Sequence, residues 1–251
     1  MFVIADGAFR NMTQIIWENQ QNQIHNNQYS TAKLVSPDQS ILVSGESAAE
    51  KTVTTKFIIA YLASLTERSA AVSRCNTGKR NASADSPKST TQNSDKSSIE
   101  QQVLQSNPIL ESFGNARTIR NDNSSRFGKL ISINFSHSTL VGACIRTYLL
   151  EKVRLIHQQQ GERTYHIFYE LLSANVSHEK EPLHLAALSP KHFKIMTACS
   201  NTFDRRDGVL DKESFQELKH AMNVVGFTKQ EQTDIFSIAI AILHASNIVF
   251  V

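Results

Sequence analysis

Apolar residues recur at helical spacing along most of the chain, and short apolar runs interrupt this pattern. Apolar positions three and four residues apart predict helices at 5–17, 51–65, 99–113, 166–172, 191–198, 212–225 and 229–243. Apolar runs of strand length predict strands at 40–45, 127–135 and 142–150. The last two strands are predicted to pair as a hairpin. A polar segment rich in Asn and Gln, at 18–28, is predicted to be a solvated loop.

The segment 66–98 differs in composition from its neighbours. It is rich in Ser, Thr, Asn, Lys and Asp and has scarcely a large apolar residue. Such a segment cannot bury enough apolar surface to offset the entropy that is lost on ordering. The sequence therefore predicts a flexible surface loop between the helices at 51–65 and 99–113.

The overall composition is that of a globular protein. The 251 residues are 40% hydrophobic, which is enough for a sizeable core, and the net charge of +3 does not single out nucleic acid or an anionic membrane as a partner. Cys75, Cys144 and Cys199 are isolated, which fits a reducing compartment and favours neither disulfides nor a zinc site. No window is apolar enough to predict secretion or membrane insertion.

Residues 45–52 read GESAAEKT and match most of a phosphate-binding loop. In the pattern G-x-x-x-x-G-K-[ST], backbone N–H groups surround a polyphosphate, the lysine reaches its β and γ oxygens, and the last hydroxyl binds Mg²⁺. Gly45, Lys51 and Thr52 fit, and the loop lies between a predicted strand and a predicted helix, as phosphate binding requires. Glu50 occupies the position where the pattern has glycine.

The replacement of glycine by Glu50 predicts weakened nucleotide binding. A carboxylate about 5 Å from one phosphate charge costs roughly 3 kcal/mol at an effective dielectric constant of about 20. A left-handed backbone at a non-glycine residue adds roughly 1–2 kcal/mol. The sequence thus predicts that this loop binds nucleotide weakly or not at all.

Further segments are more specific than the phosphate loop. NPILESFGNART at 107–118 continues into RNDNSSRFGK at 120–129, and both resemble the helix and switch I of the myosin motor domain almost residue for residue. YLLEKVRL at 148–155, GERTYHIFYEL at 161–171 and ILHASNIVF at 242–250 are similar to later stretches of that family. The resemblance spans nearly the whole chain.

The resemblance implies an α/β fold: a P-loop NTPase-type myosin motor core with a mixed, twisted β-sheet flanked by helices. It implies one partial motor domain over 1–251, with the flexible loop at 66–98 inside it. An adenine-contacting N-terminal segment, switch II, the relay helix, the converter and the lever are expected to be absent.

The resemblance also implies a function. The chain is expected to be a fragment of an actin-based motor that binds and hydrolyses ATP with Mg²⁺, through a degenerate phosphate loop. Its expected partners are ATP and, in the full-length motor, actin filaments, and its expected location is cytoplasmic and cytoskeleton-associated. The alternative is a catalytically inactive pseudomotor that keeps the scaffold and binds other proteins. No actin-activated ATPase is expected from these residues alone.

The resemblance assigns roles to residues of the phosphate loop and of switch I. Catalytic roles fall to Ser124, Ser125 and Arg126. The hydroxyls of Thr52 and Ser125 would bind Mg²⁺. Ala48 replaces a second glycine of the family, which adds a smaller steric cost. The nucleotide would be bound by Gly45, Glu46, Ser47, Ala48, Ala49, Glu50, Lys51, Thr52, Asn121 and Asn123.

The same residues also allow plainer interpretations. Ser47 or Thr52 would cap a helix whose Lys51 points into solvent, and 121–125 would be a turn capped by its own side chains. Arg126 is expected to have no partner, because the switch II glutamate that pairs with it in the family would lie beyond residue 251.

No metal site is predicted from the remaining polar residues. His157, His166, His184 and His192 lack metal-ligand spacing and are assigned to surface or satisfied packing positions. The acidic residues of 204–213 fail the spacing rule of a calcium loop, so this segment is predicted to be an ordinary turn and helix start.

Overall fold

A computed structural model describes most of the chain: residues 1–25, 35–46, 49–77, 99–136, 139–173, 185, 188–197 and 203–249. These residues form two compact units. The first unit comprises Met1–Glu100 and Ile133–Ala143, and the second comprises Gln101–Ser132 and Cys144–Val251. Each helix in the described part of the chain is too short or too polar to cross a lipid bilayer.

The first unit is built on two helices, α1 (Phe2–His25) and α2 (Lys51–Thr77), which pack against each other. Their contact buries a small apolar cluster of Ala5, Ile58 and Leu62. Partly buried apolar residues from the same two helices and from two further stretches surround this cluster: Phe9, Ile41, Val43, Tyr61, Leu65, Ile133 and Phe135. The cluster therefore holds the chain that leads into the phosphate loop against the helix that follows it.

The first unit departs from the sequence prediction at three places. The predicted strand at 40–45 is extended chain without a strand partner among the described residues, although Ile41 and Val43 alternate in exposure with their neighbours as a strand would. A strand needs a neighbour for its N–H and C=O groups, which periodicity alone does not supply.

Both helices of the first unit are longer than predicted. α1 continues through the polar segment 18–28 as far as His25, and α2 continues beyond residue 65 to Thr77. Once a packed stretch has nucleated a helix, polar residues of moderate helix propensity extend it at little cost. The remainder of the predicted loop, 78–98, lies outside the described residues.

The second unit contains the remaining helices and most of the strands. Its helices are α3 (Ile99–Gly114), α4 (His166–Ser173), α5 (Lys194–Thr197), α6 (Asp211–Val225) and α7 (Lys229–Ala245), with one-turn 3-10 helices at Lys152–Leu155 and Pro190–His192. The first two residues of α3 are assigned to the first unit. The helices predicted at 99–113, 166–172, 212–225 and 229–243 are confirmed to within two residues at each end, whereas 191–198 is divided between a 3-10 turn and α5.

The described strands form two small sheets. β1 (Asn115–Ala116) pairs with β2 (Ser124–Ser125), and β3 (Gly128–Ser136) pairs with β4 (Thr139–Tyr148), which confirms the predicted hairpin. The tip of the hairpin belongs to the first unit. The larger mixed sheet that the resemblance implies is not formed by the described strands, so the fold is that of an α/β fragment.

The core of the second unit lies where α4 meets α6 and α7. Every residue of α4 from 166 to 172 is buried, as expected for a helix with neighbours on all sides. The largest fully buried apolar residues around it include Leu171, Phe193, Leu218, Met222 and Leu243. Because α4 is surrounded by this core, its polar residues His166 and Glu170 are buried as well.

The turn between α6 and α7 has strong local signals. Gly226 ends α6 with φ 106°, a left-handed conformation that glycine adopts without strain. Thr228 then begins α7: its hydroxyl accepts from the Glu231 N–H, and the Glu231 carboxylate accepts from the Thr228 N–H at 2.8 Å. This reciprocal capping box satisfies two N–H groups that the helix leaves open.

Replacing Thr228 with alanine should lower the free energy of unfolding by about 1 kcal/mol, because the first turn of α7 loses its cap. Thr233→Ala is the matched control, since the Thr233 hydroxyl bonds only to the Lys229 carbonyl one turn earlier in the same helix. Urea denaturation followed by circular dichroism measures both. Equal effects of the two substitutions would contradict a capping role for Thr228.

Candidate functional site

The phosphate loop precedes the N-terminus of α2. The Ala49 N–H donates to the Glu46 carbonyl at 3.2 Å, and the Glu50 carbonyl accepts the first helical hydrogen bond from Thr54 at 2.9 Å. A Cβ added at Gly45 would lie 3.0 Å from the Ala49 Cβ, so the loop is closely wound. The predicted contacts Ser47 and Ala48 lie outside the described residues.

Lys51 turns back over this loop. Its ammonium donates to the carbonyl oxygens of Gly45 and Glu46, both at 2.6 Å, and the residue is half-buried. The plainer interpretation had Lys51 point into solvent, whereas its ammonium is bonded to its own loop. Thr52, the second residue of α2, is also half-buried. The ammonium and the open N–H groups of a helix N-terminus are suitable hydrogen-bond donors to a polyphosphate, and the hydroxyl oxygen is a suitable ligand for Mg²⁺.

Glu50 stands at the helix start with a left-handed backbone, φ 52°. A non-glycine residue is strained in this region, so the glycine of the phosphate-loop pattern is the residue that this backbone favours. The Glu50 side chain is exposed. Solvent therefore screens its charge, and its repulsion of a phosphate is smaller than for a carboxylate inside the loop.

The segment that resembles switch I lies in the second unit, where it follows β1 and includes β2. Asn115 pairs with Ser125 and Ala116 with Ser124 in an antiparallel register. Before it, α3 ends at Gly114, where an added Cβ would overlap the Phe127 ring. The Gly114 carbonyl accepts from the Arg126 N–H at 2.9 Å. Gly114 therefore holds Arg126 and Phe127 against the end of α3.

The two asparagines predicted to contact nucleotide make hydrogen bonds within the protein. The Asn121 side-chain oxygen accepts from the Asn123 N–H at 2.9 Å, which closes an Asx turn. The Asn123 amide accepts from Asn115 at 2.8 Å and donates to Glu111 at 3.0 Å. The contact between Asn121 and Asn123 matches the plainer interpretation of a turn capped by its own side chains, whereas Asn115 and Glu111 hold Asn123 from outside that turn.

The predicted catalytic residues occupy the end of this segment. Ser124 is buried, and its hydroxyl accepts from Arg126 at 3.2 Å, whereas Ser125 is exposed. The expectation that Arg126 has no partner is wrong, because its Nε donates to a carboxylate oxygen of Glu151 at 2.5 Å. The family pattern pointed to a glutamate further along the chain, and nothing in sequence spacing indicated Glu151.

Glu151 accepts from a second guanidinium as well. Arg154 donates from Nε to the same Glu151 oxygen at 2.8 Å and from a terminal nitrogen to Glu162 at 2.9 Å. Partial burial opposes ionisation of Glu151, but hydrogen bonds from Arg154 and Arg126 hold its pKa below the usual value. Sequence reasoning missed Arg154 and Glu162, and their only signal was membership of the matched segments 148–155 and 161–171.

A further arginine holds the outer side of the switch I segment. Arg206 donates to the carbonyls of Thr118 at 2.7 Å and Ile119 at 3.0 Å and pairs with Asp122 at 3.1 Å. The segment 204–213 was predicted to be an ordinary turn and helix start, and α6 indeed begins at Asp211. Its contact with switch I was not predicted, because it joins residues more than eighty positions apart in the chain.

The predicted site residues belong to both units. Residues 45, 46 and 49–52 are in the first unit, and residues 121–126 are in the second. Within the described residues, no three His, Cys, Asp or Glu side chains come close enough together to hold a metal ion.

Two ionisable residues of α4 are buried in the second unit. His166 is 1% exposed and neither ring nitrogen has a hydrogen-bond partner, so its assignment to a satisfied position is wrong. Burial, with help from the positive charges of Arg163 and Arg205, holds the pKa of His166 well below its usual value. Burial also raises the pKa of Glu170 to about 8, against a smaller lowering by the hydrogen bond with Ser112. Of the other histidines assigned to surface or packing positions, His157 and His192 are exposed and His184 lies outside the described residues.

Comparisons with known proteins identify relatives of this chain. A family model described as the myosin head (motor domain) matches residues 1–251. The chain is 46% identical over 215 residues to Myosin-1 of Saccharomyces cerevisiae, covering 85% of this chain and 10% of that protein. It is 44% identical over 221 residues to the Myosin-J heavy chain of Dictyostelium discoideum, covering 84% and 10%. It is 39% identical over 251 residues to the Myosin-I heavy chain of the same organism, covering 100% and 8%. The chain thus spans about a tenth of the length of these relatives.

Proposed function

Because the chain belongs to the myosin head (motor domain) family, we propose that it is part of an actin-based motor and binds the phosphates of Mg-ATP at 45–52. The observation that carries this proposal is Lys51. Its ammonium lies 2.6 Å from two carbonyl oxygens of its own loop, at the N-terminus of a long helix. A phosphate oxygen is a stronger acceptor for an ammonium than a neutral carbonyl, so ATP would replace these two contacts.

In this proposal, hydroxyl, arginine and asparagine side chains have different roles in ATP hydrolysis. By the family resemblance, Thr52 and Ser125 would each offer a hydroxyl to Mg²⁺, and the metal would supply charge neutralisation to the phosphates. The reaction is an in-line attack of water on the γ-phosphate, in which the protein supplies position and electrostatic stabilisation. Ser124 and Ser125 offer hydroxyls to the γ-phosphate, and Arg126 offers positive charge beside them. Asn121 and Asn123 set the shape of the turn that presents these groups.

The affinity for ATP is expected to be low. Glu50 places a carboxylate beside the loop and holds a backbone that favours glycine. This observation also supports the second candidate function, a pseudomotor that keeps the scaffold, does not hydrolyse ATP and binds other proteins. As a motor, the full-length protein would be cytoplasmic and associated with actin filaments.

Replacing Lys51 with methionine should weaken the binding of Mg-ATP by about thirty-fold or more, because the phosphates lose their direct cation. Lys56→Met is the matched control, since Lys56 lies on the same helix one turn and a half further on. Titration of the full chain with a fluorescent ATP analogue measures both variants. Hydrolysis is followed as phosphate release from the unaltered chain.

The outcomes separate the two candidate functions. Binding that is lost in Lys51→Met and kept in Lys56→Met, together with phosphate release, supports the motor. Binding without phosphate release supports a nucleotide-binding scaffold. If the unaltered chain binds no Mg-ATP at millimolar concentration, the nucleotide proposal fails for this chain and the pseudomotor is favoured.

A further inference from the structure

A single buried arginine joins both ends of the switch I segment. The Arg154 side chain is 6% exposed and lies between two carboxylates. On one side, Arg154 pairs with Glu162, whose other oxygen accepts from the Ile119 N–H at 3.3 Å. On the other side, Arg154 pairs with Glu151, which also accepts from Arg126 at 2.5 Å. Ile119 and Arg126 are the two flanks of the segment that carries the predicted nucleotide contacts.

We infer that Arg154 is a positioning residue for the candidate nucleotide site, acting through Glu162 on one flank of switch I and through Glu151 on the other. This inference rests on the proposed function for its consequence at the nucleotide, but the connection itself is a property of the second unit. We call these four side chains, Arg126, Glu151, Arg154 and Glu162, the switch brace.

The charges of the switch brace balance. Two guanidinium groups face two carboxylates, so no charge in this partly buried group lacks a counter-charge. Arg154 donates to both oxygens of Glu151, at 2.8 and 3.4 Å. If Arg126 turns towards an anionic ligand, Glu151 therefore keeps a cationic partner. This arrangement lets Arg126 move without leaving Glu151 unpaired, whereas the loss of Arg154 would remove the cationic partner of Glu162 and leave Glu151 with Arg126 alone.

Backbone contacts tie the switch brace to fixed parts of the fold. Arg154 also donates to the Arg163 carbonyl at 3.2 Å, and the Arg154 carbonyl accepts from Gln158 and Thr164. The Tyr165 hydroxyl donates to the Glu151 carbonyl at 2.6 Å. Arg154 is thus held from several directions, and its planar fork reaches the two carboxylates with different nitrogens, whereas a lysine would have to reach both from a single nitrogen.

Hydrogen–deuterium exchange of the full chain tests the inference without any nucleotide. In Arg154→Met, the amides of Ile119 and Arg126 should both exchange about ten-fold faster or more, because Glu162, which accepts from the Ile119 N–H, and Glu151, which accepts from the Arg126 side chain, each lose a hydrogen-bonded cation that orients them. Amides of α4 and α6 should keep their rates, because the core does not change. Arg154→Lys should behave like Arg154→Met rather than restore protection.

Two milder variants keep the test decisive if Arg154→Met does not fold. Glu162→Gln should speed exchange mainly at Ile119, and Glu151→Gln mainly at Arg126, because each removes one arm of the switch brace. Arg206→Ala is the control for the Arg126 flank: Arg206 donates to the carbonyls of Thr118 and Ile119 without touching the switch brace, so its loss should leave exchange at Arg126 unchanged. Unchanged exchange at both flanks, or faster exchange throughout the second unit in all variants, would overturn the inference.

A nucleotide titration then connects the switch brace to the site. If the unaltered chain binds Mg-ATP, Arg154→Met should weaken that binding by about ten-fold without contacting the ligand. Unchanged affinity in a chain whose flanks have loosened would overturn the positioning role. If the unaltered chain binds no nucleotide, the proposed function fails while the exchange data still decide whether the switch brace exists.

Discussion

Replacing Glu50 with glycine should raise the affinity of the chain for Mg-ATP by about ten- to a hundred-fold. The reason is electrostatic: removal of a carboxylate roughly 5 Å from a phosphate relieves between about 1 and 3 kcal/mol, depending on how well solvent screens it. The exposure of the Glu50 side chain places the expected gain in the lower half of this range. Restoring glycine at Ala48 as well should add a smaller gain.

At Glu50, the backbone conformation affects folding stability, whereas the side-chain charge affects the affinity for ATP. The left-handed φ of 52° belongs to the folded loop, so we assign its strain of roughly 1–2 kcal/mol to folding stability. Glu50→Gln removes the charge and keeps the strain, so it should improve affinity without stabilising the fold. Glu50→Gly should improve both. Titration with a fluorescent ATP analogue and urea denaturation of the same variants measure the two effects.

The comparison has a clear failing result. If Glu50→Gly and Glu50→Gln leave the affinity for Mg-ATP unchanged within a factor of about two, charge at this position does not limit binding. The loop would then have lost nucleotide binding for other reasons, and the pseudomotor would be favoured.

Replacing Glu170 with glutamine should stabilise the second unit by on the order of 3 kcal/mol at pH 7. Burial raises the pKa of Glu170 to about 8 in the folded chain, from an ordinary value of 4.5 for an exposed glutamate. Between these values the unfolded chain releases the proton and the folded chain keeps it, so the cost of this carboxyl grows as the pH rises from 4.5 to 8. Glutamine has nearly the same shape and does not titrate, so the cost disappears.

The advantage of Glu170→Gln over the unaltered chain should be small at pH 5 and largest at pH 8 and above. His166 has the opposite dependence, because its lowered pKa makes folding less favourable as the pH falls below 6.5. The two slopes oppose each other below about pH 6.5, where the unfolded chain protonates His166 and the folded chain does not. The difference between variants therefore isolates Glu170, whereas the pH profile of the unaltered chain does not.

Urea denaturation at pH 5, 7 and 8 measures this difference. Glu217→Gln is the matched control, since Glu217 is exposed on α6 and its replacement should leave stability nearly unchanged. The charged neighbours that act on Glu170 are Asp211, Arg163 and Arg205, and they are the same in all variants. An advantage that does not change from pH 5 to pH 8 would show that Glu170 is not protonated in the folded chain.

The sequence predicted the helices of the second unit well because their apolar faces are continuous. The bounds of α3, α6 and α7 follow from helical spacing together with local end signals such as Gly226 and the Thr228 cap. The predicted hairpin was also confirmed, since its two strands are adjacent in the chain. Local signals suffice where both partners of a contact lie close together in sequence.

Sequence reasoning was weaker wherever a segment depends on a distant neighbour. The extended chain at 40–45 has strand periodicity but no strand beside it among the described residues, and α1 and α2 continue into polar segments that the composition assigned to loops. Periodicity records which face is apolar, but not whether a pairing edge is present or where a packed helix ends.

By itself the sequence determined the family of this protein and the residue types of its candidate site: a lysine and a hydroxyl after a glycine-led loop, and a serine-rich switch followed by an arginine. Those patterns are local, and chemistry fixes their spacing. Only the tertiary structure decided that Glu50 is left-handed, that Arg126 pairs with Glu151, and that Arg154 and Glu162 connect the two flanks of switch I. These facts depend on burial and on contacts across the chain, and charged residues look alike in sequence whether solvent or a buried partner surrounds them.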